Sequence, residues 1–138
     1  TPPTAVAAIT EQLGDVSGKV IVDATNSIAV RPDPYRTVYD YLAHHTPAHL
    51  VKCFNSTGFE NMLQPVYHGE GIDMFMAGSS DIAKDIAVQL ALDCGFENCY
   101  DFGGADKVGL LEQFAMAWIN LAIVQQQGRN MAFRVVKR

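Results

Sequence analysis

Residues 107–127 carry a long helical pattern that is apolar on nearly every side. Leu110, Leu111, Phe114, Trp118, Leu121 and Val124 recur at helical intervals along one side, and Ala115, Met116, Ile119, Ala122 and Ile123 fill much of the rest. A helix of this kind must be covered on nearly every face. The chain must therefore supply a sheet for one side and a partner for the other, which predicts a homodimer built on this helix. The most apolar part, residues 114–124, is interrupted by Asn120 and falls short of the about 20 residues that a membrane span needs. It reads as a buried helix, and no membrane association is expected.

Upstream, short β-branched or apolar runs alternate with helical patterns. The runs are Lys19-Val20-Ile21-Val22-Asp23, Leu50-Val51-Lys52-Cys53-Phe54, Asp73-Met74-Phe75-Met76-Ala77 and Cys99-Tyr100-Asp101-Phe102, and each reads as a buried strand. A helix entered through Pro2-Pro3 and left through Gly14 precedes the first run, and a weaker one over residues 35–44 stops before Pro47. Ser79 or Ser80 caps a third helix, with Asp81 in its first turn, Ile82, Ile86 and Leu90 as its apolar stripe, and Gly95 at its end. Strands alternating with helices predict an α/β domain on a parallel sheet. Residues 1–104 form the sheet portion and residues 105–138 a C-terminal helical portion.

At 138 residues the chain is one domain's worth, and its net charge of −5, with no run of cations, excludes the basic stripe that nucleic acid requires. Three cysteines without C-x-x-C spacing fit neither a disulfide framework nor a zinc knuckle, and favour a reducing, cytoplasmic setting. Asn55-Ser56-Thr57 matches a glycosylation acceptor, but no signal segment precedes it, so it reads as a loop.

In open parallel sheets, ligands bind beyond the carboxyl ends of the strands. Two predicted strands run into small polar loops, Ala24-Thr25-Asn26-Ser27 and Asn55-Ser56-Thr57-Gly58. If the strands are parallel neighbours, the loops line one crevice; equally, small polar residues simply make good turns. Neither loop holds an acid–base pair or nucleophile, so any chemistry rests on positioning. His45 and His49 have metal-pair spacing, but Pro47 lies between them and breaks the helix. Cys53 reads as a buried, inert thiol, and Gly103-Gly104 as a tight turn. Glu112 is the one carboxylate of the long helix that faces the interior, where a neighbour or a loop backbone satisfies it.

Taken in order, G-K-V-I-V-D-A-T-N (18–26), V-K-C-F-N-S-T-G (51–58), M-F-M-A-G (74–78) and L-L-E-Q-F-A-M-A-W-I-N-L-A (110–122) resemble the deazaflavin-dependent NADP oxidoreductases and their dinucleotide-binding bacterial relatives. The resemblance implies a partial Rossmann-like sheet, NADP as cofactor together with a deazaflavin coenzyme, and hydride transfer to a small-molecule ring acceptor. It also implies that the glycine-rich diphosphate loop lies outside these residues. By position it assigns Thr1 and Pro2 to the nicotinamide side, Asn26 and Ser27 to the A-T-N-P turn, and Asn55, Ser56, Thr57 and Gly58 to the loop against which the rings stack. Ser27 stands where that family usually has Pro, Gly104-Ala105-Asp106 replaces a Pro-Leu-Ser type loop, and Gly109 replaces a common Arg. A reading from another class is a non-catalytic dimerising module that kept the fold and lost the site.

Overall fold

The computed structural model describes residues 2–138; Thr1, one of the residues assigned to the nicotinamide side, lies outside them. Pro3–Ala5 form a 3-10 turn that opens into α1 (Val6–Leu13). Gly14 leaves that helix at φ 66°, a conformation strained for any residue with a Cβ. Next come β1 (Val20–Asp23), α2 (Val38–His45), β2 (His49–Cys53) and the short α3 (Phe59–Leu63). A hairpin of β3 (Val66–Tyr67) and β4 (Glu70–Gly71) leads to β5 (Asp73–Ala77), α4 (Asp81–Asp93) and β6 (Asn98–Asp101). A 3-10 turn, Ala105–Lys107, starts α5 (Val108–Ile119), which ends in a π turn, Asn120–Val124.

The main sheet has the order β1-β2-β5-β6. β1 runs parallel to β2, with Asp23 opposite Lys52, and β5 runs parallel to β6. The α/β class and the parallel-dominated sheet are those predicted, but one pair departs: β2 and β5 are antiparallel. The connection explains it. A parallel crossover needs a helix that carries the chain back along the strand. The five residues of α3 span about 7.5 Å, against about 17 Å for the five-residue β2. The chain therefore re-enters the sheet at the end where it left.

Side-chain alternation divides the core into two layers. Leu50, Phe75 and Ala77 face α1, α2 and α5, packing on Val6, Val38, Leu42, Val108 and Leu111. Val51, Cys53, Met74 and Met76 face α4 and meet Ala83, Ala87 and Ala91. Here the predicted apolar stripe is corrected: Ile82, Ile86 and Leu90 are 56%, 41% and 42% exposed, while the three alanines are fully buried. The methionines already fill the layer, so the face of α4 that fits is the one with the smallest side chains. Of the two serines expected as caps, Ser80 is the one that caps α4, accepting from the Ala83 N–H.

The long helix is also divided. Leu111, Ala115 and Trp118 are buried against the sheet side, whereas Leu110, Leu121 and Val124, expected on the same side, face outward with Ile123. The helical stretch Ala105–Val124 has the length and mean hydropathy, 1.3, of a membrane-crossing helix. Its inner face is occupied by the protein's own core. The helix expected over 107–127 ends at Val124, and residues 125–138 are not helical. Gln126 and Gly128 take positive φ and turn the chain back as an extended strap. The Phe133 carbonyl accepts from the Asp73 N–H at 3.3 Å, the Met131 carbonyl accepts from Trp118 Nε1 at 2.6 Å, and the Phe133 ring packs on Phe114 at a tilt of 39°.

Candidate functional site

Because β1 and β2 are parallel neighbours, the loops that follow them emerge side by side at the carboxyl edge. Phe54, at φ 61°, ends β2 and turns Asn55 toward Asn26. The two amides then pair: Asn26 Nδ2 donates to the Asn55 carbonyl at 2.8 Å, and Asn55 Nδ2 donates to Asn26 Oδ1 at 2.9 Å. Asn55 Nδ2 also faces the Leu111 carbonyl at 3.5 Å. Exchanging the oxygen and nitrogen of Asn55 would set oxygen against two acceptors, so the network fixes its orientation. Asn55 Oδ1 is left buried with no hydrogen-bond partner.

Beneath this pair lies a buried charge network. Lys52 is 0% exposed, and its Nζ meets Asp23 Oδ2 at 2.6 Å, Glu112 Oε1 at 2.7 Å and the Thr25 carbonyl at 2.8 Å. The ammonium donates to Glu112 and to the Thr25 carbonyl, and it pairs with Asp23 Oδ2 by charge alone, that oxygen having no hydrogen-bond partner. Asp23 Oδ1 accepts from both the N–H and the hydroxyl of Thr25, and Glu112 Oε2 accepts from the Ser27 N–H at 3.0 Å. Lys52 thus ties β1, β2, the 24–27 loop and α5 into one unit. Its three contacts are all to fixed groups, so it positions the loops and is not free to act as an acid or base. Glu112 is satisfied by a neighbour and a loop backbone together. Sequence reasoning placed Lys52 in a buried strand but did not match it with Glu112, the one carboxylate assigned to the interior.

The remaining predicted residues divide by what they touch. Ser27 is buried, and its hydroxyl accepts from the Val38 N–H, which joins the loop to the start of α2. The Ser56 hydroxyl points inward to Met74 Sδ. Thr57 Oγ1 accepts from Asn61 Nδ2 at 2.7 Å. Asn61, 1% exposed, also donates to the carbonyls of Arg129 and Met131 and accepts from the Tyr67 hydroxyl. It was not anticipated; its partners come from the strap, far away in sequence. Gly58 approaches so closely that a Cβ would meet Glu60 Oε2 at 2.5 Å and Trp118 Cη2 at 3.0 Å. Pro2 lines a groove of about 320 Å³ along β1 together with Ile21, Asp23 and Thr25, next to the first loop.

His45 meets the Tyr35 hydroxyl and His49 meets Ser80 Oγ, and no cluster of three or more metal-binding side chains occurs among the described residues. Cys53 is buried, as expected, with its Sγ 4.0 Å from that of Cys99. Either thiol can donate in this contact; with Cys53 as the donor, the Cys99 thiol is held below its ordinary range, against burial and the nearby Asp101 charge. Cys53 itself is pushed up by the same hydrogen bond and by burial.

No protein-family model matches the chain, and no curated protein matches it. Among solved structures, it is similar to a protein from Arthrobacter sp. FB24 named as a candidate coenzyme F-420-dependent NADP-reductase. The TM-score is 0.82 at 21% identity, covering 99% of this chain and 67% of that one. It is also similar to a hypothetical protein from Sinorhizobium meliloti, with a TM-score of 0.66 at 22% identity, covering 99% and 64%. The chain spans about two thirds of the length of each. What it shares with them is the architecture: a mixed α/β, Rossmann-like fold with parallel-dominated strands and a long C-terminal helix.

Proposed function

We propose that this chain forms the ring-binding portion of an NADP-dependent oxidoreductase, which moves a hydride between NADPH and a deazaflavin or flavin-like ring. The observation that carries this reading is Asn55 Oδ1, a buried acceptor of fixed orientation with no donor, at the carboxyl ends of two parallel strands. Leaving such an atom unpaired costs about 1–3 kcal/mol. The carboxamide N–H of a nicotinamide entering between the loops supplies the missing bond. Entry requires the half-buried Asn26 side chain, which lies against the Asn55 amide, to give way.

The residues present fit the nicotinamide end of a dinucleotide: small loop side chains, a fixed amide acceptor and a rigid floor. They do not fit its diphosphate. The chain has no G-x-G-x-x-G turn between a strand and a helix, the arrangement that presents backbone N–H groups and a helix dipole to phosphates. The bound rings supply the redox chemistry. The chain's part is to hold them at about 3 to 3.5 Å and exclude water: Lys52 and Glu112 stiffen the floor, Asn26 and Asn55 orient the ring edge, and Gly58 and Thr57 shape the wall.

Two further parts belong to the proposal. The outer face of α5 and its π turn pairs with that of a second copy, since Leu110, Ile123 and Val124 are 55%, 45% and 63% exposed, and the protein works as a cytoplasmic homodimer. Amide shift mapping of the 138-residue chain with NADPH tests the slot. Shifts centred on Asn26, Ser27 and residues 55–58 support it. Shifts centred on any other surface, or none at millimolar NADPH, overturn it.

A further inference from the structure

A second cavity, of about 450 Å³, opens beside the first loop and is lined by Ser27, Arg31, Arg36, Thr37, Gly109 and Glu112 among others. This volume lies within the range of small-molecule sites, about 300–1,000 Å³. Its charge is one-sided. Glu112 is the only carboxylate in the lining, and both of its oxygens are taken, by Lys52 and by the Ser27 N–H. Arg31 and Arg36 line the same cavity, and neither takes part in an ion pair among the described residues. In a chain of net charge −5, two arginines lining one cleft, with no carboxylate in the lining free to pair with them, are an uneven use of few cations. Gly109 keeps the wall open: the position where its Cβ would lie has no heavy atom within 4 Å.

We infer that this cavity binds a small organic oxyanion, a phosphate or polycarboxylate group, held between Arg31 and Arg36. A guanidinium presents paired N–H donors that match the oxygens of either group, and the two arginines neutralise a doubly charged anion. The cavity shares Ser27 and Glu112 with the network under the Asn26–Asn55 pair. The anion therefore lies next to the slot, against the same two residues. The inference rests on the proposed slot for its role, but anion binding is measured independently of it.

The experiment titrates the 138-residue chain with pyrophosphate and, separately, with citrate, by calorimetry at low ionic strength. Wild type and the double variant Arg31→Gln/Arg36→Gln are compared. Both side chains are exposed, so the variant folds, which the unchanged amide spectrum verifies. The expected result is saturable binding of at least one anion in the millimolar range or tighter, weakened at least about tenfold in the double variant and weakened further by salt. Preference for pyrophosphate identifies a phosphate group; preference for citrate identifies a polycarboxylate group. Absence of binding by both anions, or binding unchanged in the double variant, overturns the inference. NADPH shifts at Asn26 and Asn55 that persist in either case leave the slot itself standing.

Discussion

Replacing Lys52 by Met removes the one cation of the buried network and leaves Asp23 and Glu112 facing each other without it. Lys52 is fully buried, and its ammonium makes three contacts of 2.6 to 2.8 Å, so no water takes its place without rearrangement. Breaking a buried pair by removing one partner costs about 3–5 kcal/mol. Unfolding entropy of about 2.1 cal/mol/K per residue, over 138 residues, gives about 0.29 kcal/mol/K. The variant should therefore melt about 10–17 °C lower. Thermal unfolding followed by circular dichroism measures this, and a cycle with Glu112→Leu separates the pair from the rest. Residues sharing one network couple by about 0.5–3 kcal/mol, so the double variant should be less destabilised than the sum of the singles. A Lys52→Met loss below about 1 kcal/mol, or strict additivity, would refute the claim that this network holds the loops to α5.

Thr57→Trp should fill the slot and weaken NADPH-induced shifts at Asn26 while leaving the melting temperature within a few degrees, because Thr57 is only half-buried; retained shifts would place the slot elsewhere. Cys99, held below its ordinary thiol range by the Cys53 S–H, should be alkylated with a pH midpoint below that of a free thiol. Cys53→Ala should move that midpoint upward, and an unchanged midpoint would remove the assigned cause. Light scattering at micromolar concentration should give a dimer that Ile123→Asp converts to monomer. A wild-type monomer would leave the outer face of α5 without the proposed partner.

Features written locally were legible in the sequence. The Ser80 cap, the Gly14 exit and the two polar loops each depend on residues within a few positions, and Pro47 rightly broke the His45–His49 pair. Features that depend on distant packing were not. The stripe of Ile82, Ile86 and Leu90 is as regular as a buried face, and only the methionines on β5 show why the alanines take that place. The antiparallel β2–β5 pair follows from the brevity of α3, which its sequence does not display. Within the site, adjacency of Asn26 and Asn55 followed from two matching strand ends. Lys52 meeting Glu112, 60 positions away, and Asn61 bonding the strap needed the fold. The inward turn of Ser56 was equally hidden, since strand alternation stops at the left-handed Phe54.

In the proposed slot, Asn55 Oδ1 accepts an N–H from the nicotinamide carboxamide. Its most direct test compares NADPH with the analogue whose carboxamide is replaced by an acetyl group, which keeps the ring and carbonyl but has no N–H to give. Binding to the 138-residue chain, read from the Asn55 side-chain and backbone resonances, should be weak for NADPH and weaker still for the analogue. The lost bond to a buried acceptor, about 1–3 kcal/mol, corresponds to about fivefold to 150-fold in affinity. Equal affinities, with the Asn55 amide shifting identically for both, would contradict it.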